Sequence, residues 1–172
     1  MRSLSKAMCL VTLCLAVASC NIGCSSISTA TGFGNTPTLT PEQKTVKQQN
    51  SIKLGAALAT KGALIGLDPA EAKNVATIAN TVANDIIIAT NNGTIDLTTI
   101  RQLALDKINS GSGSAKQKMI VGQVVDALAL LVQDYIDNNF ATAPDTDKRT
   151  ATINAIRAAA AGVNSGTVLF LN

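Results

Sequence analysis

The stretch KQKMIVGQVVDALALLVQDYI, residues 116–136, decides the fold. Val121, Val124, Leu128, Leu131 and Tyr135 recur in it at alternating steps of three and four, and Val125, Val132 and Ile136 widen the stripe. That period matches an α-helix of about 3.6 residues per turn with one broad apolar face. A helix of this kind needs other elements to cover it. The segment is therefore predicted to lie at the centre of a helical core.

The flanking sequence supplies the cover. Towards the N-terminus, Asp96 caps a shorter helix containing Leu97, Ile100, Leu103, Ala104, Leu105 and Ile108, and Ser110-Gly111-Ser112-Gly113-Ser114 follows as a flexible loop. Before it, Asp68-Pro69-Ala70-Glu71 opens a helix with a cap, a first-turn proline and a Glu placed to complete a capping box. Ala72, Val75, Ala76, Ala79, Val82, Ala83, Ile86 and Ile87 form its buried face, and Asn91-Asn92-Gly93 stops it.

Thr40, Pro41 and Gln43 repeat the same start for a first helix. Its apolar face reads imperfectly as Val46, Lys53, Leu54, Ala57, Leu58, Leu64 and Ile65. Gly55, Ala56, Ala59 and Gly62 either permit close helix approach or mark a break. Beyond the central segment, Asn138-Asn139 and Ala143-Pro144-Asp145 signal a break. A fifth helix then uses Ile153, Ile156, Ala159 and Ala160 and is predicted to end near Gly162. The tail Val168-Leu169-Phe170-Leu171 is expected to dock in a groove of the bundle or form an edge strand; left exposed, it would bind a partner. The expected fold is all-α: a compact bundle of about five amphipathic helices with a short apolar C-terminal tail, antiparallel where loops are shortest.

The N-terminus carries a different signal. Arg2 and Lys6 precede an apolar run from Met8 to Ala18, which ends in Val17-Ala18-Ser19-Cys20. The run is shorter than the roughly 20 residues a spanning helix needs and has the layout of a cleavable export signal. It resembles a bacterial lipoprotein signal with its lipobox. The resemblance implies cleavage before Cys20 and acylation of its thiol. Each buried methylene adds about 0.8 kcal/mol of membrane affinity, so several acyl chains such as palmitate anchor durably. In that family an aspartate after the lipidated cysteine favours the inner membrane. Asn21 stands there instead, which implies an outer-membrane destination, facing the periplasm, if the cell has two membranes.

The chain thus divides into a signal peptide (1–19), a lipid-anchored tether rich in Ser, Thr, Gly and Asn (20–39), and one helical domain (40–172). Phe33 and Leu39 are the tether's candidates for docking on the body. Beyond the leader, no stretch reads as a convincing transmembrane helix.

Composition bounds the chemistry. The whole chain carries 14 basic and 11 acidic residues; removing Arg2 and Lys6 with the leader leaves 12 and 11, so the basic balance gives no support to a nucleic-acid partner. Cys9 and Cys14 lie in the leader, and acylation of Cys20 leaves Cys24 alone, which excludes an internal disulfide framework. There is no His or Trp, and one Tyr and three Phe make up the aromatics, so Ala, Val, Leu and Ile must build the core.

Motif tests return little chemistry. Aligning Gly93 with the sixth position of a calcium loop puts Ile88, Thr90 and Asn92 at the first ligand positions and Thr99 where a bidentate Glu belongs, so Asn92 to Asp96 reads as a turn. Asp134 and Asp137 share a helix face, with Asp145 and Asp147 after the turn, and read as a solvated acidic edge. Lys44, Lys47, Lys53 and Lys61, and later Lys116 and Lys118, solubilise the surface or meet an anionic lipid or acidic partner. Ser-Lys catalysis would need a buried lysine beside a serine.

No catalytic residue, metal or cofactor is implied. The expected role is a lipid-anchored structural or protein-interaction module of the bacterial envelope, binding the membrane through its anchor and a protein partner or a second copy through its surface. Candidates for that surface are Lys44, Lys47, Lys116, Lys118, Val168, Leu169, Phe170 and Leu171. A periplasmic small-ligand-binding lipoprotein is the alternative, and a hydrolase the next.

Overall fold

Five helices form where the apolar periods place them: α1 (Pro41–Ile65), α2 (Pro69–Asn91), α3 (Leu97–Ser110), α4 (Ala115–Phe140) and α5 (Asp145–Leu171). The computed structural model describes residues 40–93 and 96–172; the leader, Cys20, Cys24, Phe33, Leu39, Thr94 and Ile95 lie outside the described residues.

The helix starts follow local chemistry. The Thr40 hydroxyl accepts from the Gln43 amide at 3.2 Å while the Gln43 side chain accepts from the Thr40 amide at 2.9 Å, closing the expected box. Asp68 caps α2 through the Glu71 amide at 3.0 Å. Glu71 does not complete that box. Its carboxylate pairs instead with Lys116 of α4 at 2.8 Å. A further box lies inside the Ser110–Ser114 loop signal: Ser114 and Gln117 bond reciprocally at the start of α4. Ser114→Ala removes one partner of that box and is expected to lower unfolding stability by about 1 kcal/mol in urea titration. Asp96 accepts from both the amide and hydroxyl of Thr99 at 2.8 Å, which holds its carboxyl below the usual range.

α5 departs from expectation. It runs 27 residues, through Gly162 and on to Leu171, so the apolar tail is its last turn and not an edge strand or a separate plug. Gly162 and Gly166 are buried where α5 meets α1. A Cβ at Gly162 would overlap the Lys53 carbonyl oxygen and lie 2.6 Å from the Ala56 Cβ; one at Gly166 would lie 2.7 Å from the Ala57 carbonyl oxygen. The glycines mark close approach between helices, not a terminus.

These contacts also set direction. Residue numbers rise together along α1 and α5, from Lys53–Gly162 to Ala57–Gly166, so the two helices are parallel. Along α2 they fall as α5 rises: Thr90 meets Arg157, Asn84 meets Asn164, and Asn80 meets Thr167. α5 thus lies between α1 and α2 and makes the two most extensive interfaces in the bundle. The short link Gly66–Asp68 joins helices that touch little, against the expectation that the shortest loops join neighbours. α3 and α4 pack below this layer.

α4 touches every other helix, yet the widest interfaces belong to α5, so the two share the centre. By length and composition α4 could cross a bilayer, with a mean hydropathy of 1.5 over its most apolar window, but Val121, Val124, Leu131, Val132 and Tyr135 of its stripe are buried in the bundle. Asn138 and Asn139 do not break it. Their amides donate to the carbonyls of Asp134 and Tyr135, one turn back, and Asn139 also accepts from Gln48 of α1 at 2.7 Å.

The core runs the length of the bundle in two clusters. One gathers Leu64, Val75, Val82, Ile108, Val121 and Val163, the other Ile52, Ile100, Leu131, Val132, Tyr135 and Ile156; Ile86 and Leu128 pack against both. The Tyr135 ring meets Phe140 edge-on at 5.6 Å, and burial pushes its hydroxyl pKa up.

Candidate functional surface

The imperfect apolar face read for α1 is mostly not its buried face. Ile52, Ala56, Ala59, Thr60, Ala63 and Leu64 face inward, whereas Leu54, Leu58 and Ile65 are 60%, 46% and 67% exposed and Val46 and Lys53 also face solvent. The reason is geometric. Contact with the glycine-bearing face of α5 requires small residues on α1, so the alanine stripe turns inward and the larger leucines are left outside.

On a helix, Lys47, Leu54, Leu58, Lys61 and Ile65 follow one another at steps of seven, four, three and four and so share one face. Lys44, Lys47 and Lys53 are exposed and Lys61 is half-buried; none of the four is in an ion pair with a described residue. No acidic residue occurs from residue 43 to residue 67.

Lys116 and Lys118 sit differently. Both are half-buried braces at the start of α4: Lys116 holds Glu71, and Lys118 donates to the Asn109 carbonyl at 2.6 Å. The carbonyl end of α3 offers Lys118 the negative field that the start of its own helix lacks. At the end of α5, Val168 and Leu169 are exposed, while Phe170 and Leu171 pack against the core. The tail is therefore half docked and half free. Cys20 lies outside the described residues.

Among the described residues the polar groups of the interior are spent on structure, except the Asn164 Oδ1, which is buried without a hydrogen-bond partner. Of the described residues, the buried polar ones are Thr60, Thr90 and Thr167, each donating to a carbonyl of its own helix. Arg157 crosses from α5 to the Thr90 carbonyl at 3.0 Å, capping the end of α2. Asn80, Asn84, Asn164 and Thr167 extend this polar seam and fix the register of α5 on α2.

No lysine is buried among the described residues, so the Ser-Lys arrangement does not form there. Asp134 accepts from Asn138 and Asp137 from Gln133, both at 2.9 Å and on the surface. Among the described residues no group of three or more His, Cys, Asp or Glu side chains converges. Between α2, α3, α4 and α5 lies an apolar void of about 50 Å³, lined by residues such as Val82, Ile100, Val124 and Ala159. Small-molecule sites measure roughly 300–1,000 Å³, so this void is far below that scale.

Comparison with protein-family models, with curated proteins and with solved structures finds no match to this chain.

Proposed function

We propose that the protein is a lipid-anchored structural or protein-interaction module of the bacterial envelope. One observation carries this reading: Val17-Ala18-Ser19-Cys20 closes the apolar leader, and the first helix cap, Thr40, follows only 20 residues later. Signal peptidase removes residues 1–19, acyl chains on Cys20 hold the chain to the membrane, and residues 21–39 set the reach of the bundle. Asn21 directs it to the outer membrane of a two-membrane cell, facing the periplasm. A small-ligand carrier is the weaker reading, because the enclosed void holds only about 50 Å³ and the larger clefts, of about 590 and 670 Å³, are open grooves along the surfaces of α1 and α3.

Work is then done by the surface. Retention on a membrane raises the local concentration of the bundle, so a modest surface affinity for a protein partner or a second copy suffices for assembly.

Mass spectrometry of the membrane-extracted protein is expected to find a chain beginning at an acylated Cys20. Cys20→Ala is expected to lower the membrane-bound mature form at least tenfold, since anchoring relies on the acyl methylenes. Crosslinking in intact cells should lose its specific products in the same variant. An unmodified thiol at Cys20, or retention of the leader in the wild type, defeats the reading.

A further inference from the structure

Charge is divided unevenly over the bundle. α1 and α5, adjacent and parallel, together carry seven basic residues (Lys44, Lys47, Lys53, Lys61, Lys148, Arg149, Arg157) and three acidic ones, Glu42, Asp145 and Asp147, all in their first turns. The remainder, residues 66–144, carries five basic and eight acidic residues. The near-neutral total hides one net-basic pair of helices, although Arg157 reaches across to α2 and does not add to the outer surface.

The exposed apolar residues divide the same way. Of the nine exposed large apolar residues among those described, six (Val46, Leu54, Leu58, Ile65, Val168 and Leu169) belong to α1 and α5, and the other three, Ile88, Met119 and Leu130, stand singly on α2 and α4. The contrast with Leu130 on α4, 68% exposed, is instructive. One turn to either side of Leu130 stand Asp126 and Asp134, whereas one turn to either side of Leu58 stand Leu54 and Gly62, with Lys61 beside them. Apolar side chains rimmed by lysines, with Glu42 the one acid beside them at the start of the helix, suit a surface that combines hydrocarbon with negative charge.

We propose that the outer face of α1, centred on Leu54, Leu58 and Ile65 and rimmed by Lys47, Lys53 and Lys61, lies on an anionic lipid bilayer. The inference rests on the lipid-anchor reading for its local concentration: the 19 residues between Cys20 and Thr40 end at the first turn of α1, so acylation delivers this helix to the bilayer before any other. A second copy is the poorer occupant. Stacking this face on itself would bring the lysine rims together with no acid from residues 43 to 67 to neutralise them. Seated this way, the bundle directs its acidic helices away from the headgroups and lies flat on the membrane.

The absence of tryptophan makes a direct test available. Leu58→Trp and Leu130→Trp each place one reporter on an exposed site, in the acylated full chain reconstituted into vesicles whose acyl chains carry bromine. In vesicles containing phosphatidylglycerol, Leu58→Trp is expected to shift blue and lose about half its emission, because a docked face sits within roughly 5–10 Å of the acyl boundary. Leu130→Trp is expected to keep its emission. Replacing Lys47, Lys53 and Lys61 with Gln should lower the docked-to-undocked ratio about a hundredfold, at about 1 kcal/mol for each lysine near a charged surface. Vesicles of phosphatidylcholine alone should have a similar effect.

The two readings fail separately. If the protein stays on the vesicles through Cys20 while Leu58→Trp is quenched no more than Leu130→Trp, the anchor stands and the face proposal is overturned. If Cys20 carries no acyl group, the anchor reading falls, and the unacylated chain decides the face: a blue shift of Leu58→Trp on phosphatidylglycerol vesicles supports it and none overturns it. A blue shift that appears with protein concentration and without lipid overturns it in favour of a second copy.

Discussion

Replacing Gly162 with alanine is expected to destabilise the bundle by about 1–2 kcal/mol, although the same change in an open helix is favourable. Alanine gains about 1 kcal/mol over glycine in a helix interior. At Gly162 that gain is outweighed, because the new methyl would overlap the Lys53 carbonyl oxygen and lie 2.6 Å from the Ala56 Cβ. Backbone cannot rotate away as a side chain can, so α1 and α5 must separate, and overpacking of a tight core costs about 1–3 kcal/mol, more as further methyls are forced into the same space. Gly162→Val should therefore approach the total stability of a domain this size, roughly 5–15 kcal/mol, and yield little folded protein.

Gly166→Ala should fall between, and Gly122→Ala supplies the control. Gly122 lies inside α4, and a Cβ added there would meet nothing within 4 Å. That substitution should stabilise the bundle by about 0.5–1 kcal/mol. Urea unfolding of the three alanine variants checks the order. A Gly162→Ala protein as stable as the parent would mean that α1 and α5 do not meet face to face.

Ile52→Ala is expected to cost about 2–5 kcal/mol, and Leu54→Ala, two residues on, no more than about 0.5 kcal/mol. Ile52 is 1% exposed and packs in the cluster of Ile100, Leu131, Val132, Tyr135 and Ile156, so its truncation leaves a cavity walled by four helices. Leu54 faces solvent. Thermal unfolding of the two variants in the absence of lipid separates them. Equal losses would place Leu54 in the core and remove the outer apolar face of α1.

How far each element was legible followed from how its residues make contact. The caps at Thr40, Asp68 and Asp96 bond to amides three residues away, so they can be recognised locally. The apolar stripe of α4 was legible because large aliphatic residues bury themselves whatever covers them. On α5 the face of Ile156, Ala159 and Ala160 was legible but its run past Gly162 was not, and on α1 the face was largely misread, because Ala56, Ala59 and Ala63 turn inward beside Ile52 and Leu64 while Leu54, Leu58 and Ile65 face outward. A signal was present in Ala155, Ala159, Gly162 and Gly166, small residues at helical steps of four, three and four, but hydrophobicity alone reads such a stripe as weak. The same inversion concealed the candidate surface, since Leu54, Leu58 and Ile65 read as core until their neighbours are known.

Residues within a turn or two of one another are enough to establish that this chain is helical and where most of its helices start. Three-dimensional packing was needed to learn that the last helix slides between the first two, that Gly162 and Gly166 are contact points within it, and which side of α1 meets water. Those outcomes depend on the fit between surfaces far apart in the chain, as at Asn80 and Thr167, whose side chains bond across a separation of 87, and at Gly162, which meets the Lys53 carbonyl. Close packing of small side chains there displaces larger apolar ones outward, and no local pattern records which partner face will arrive.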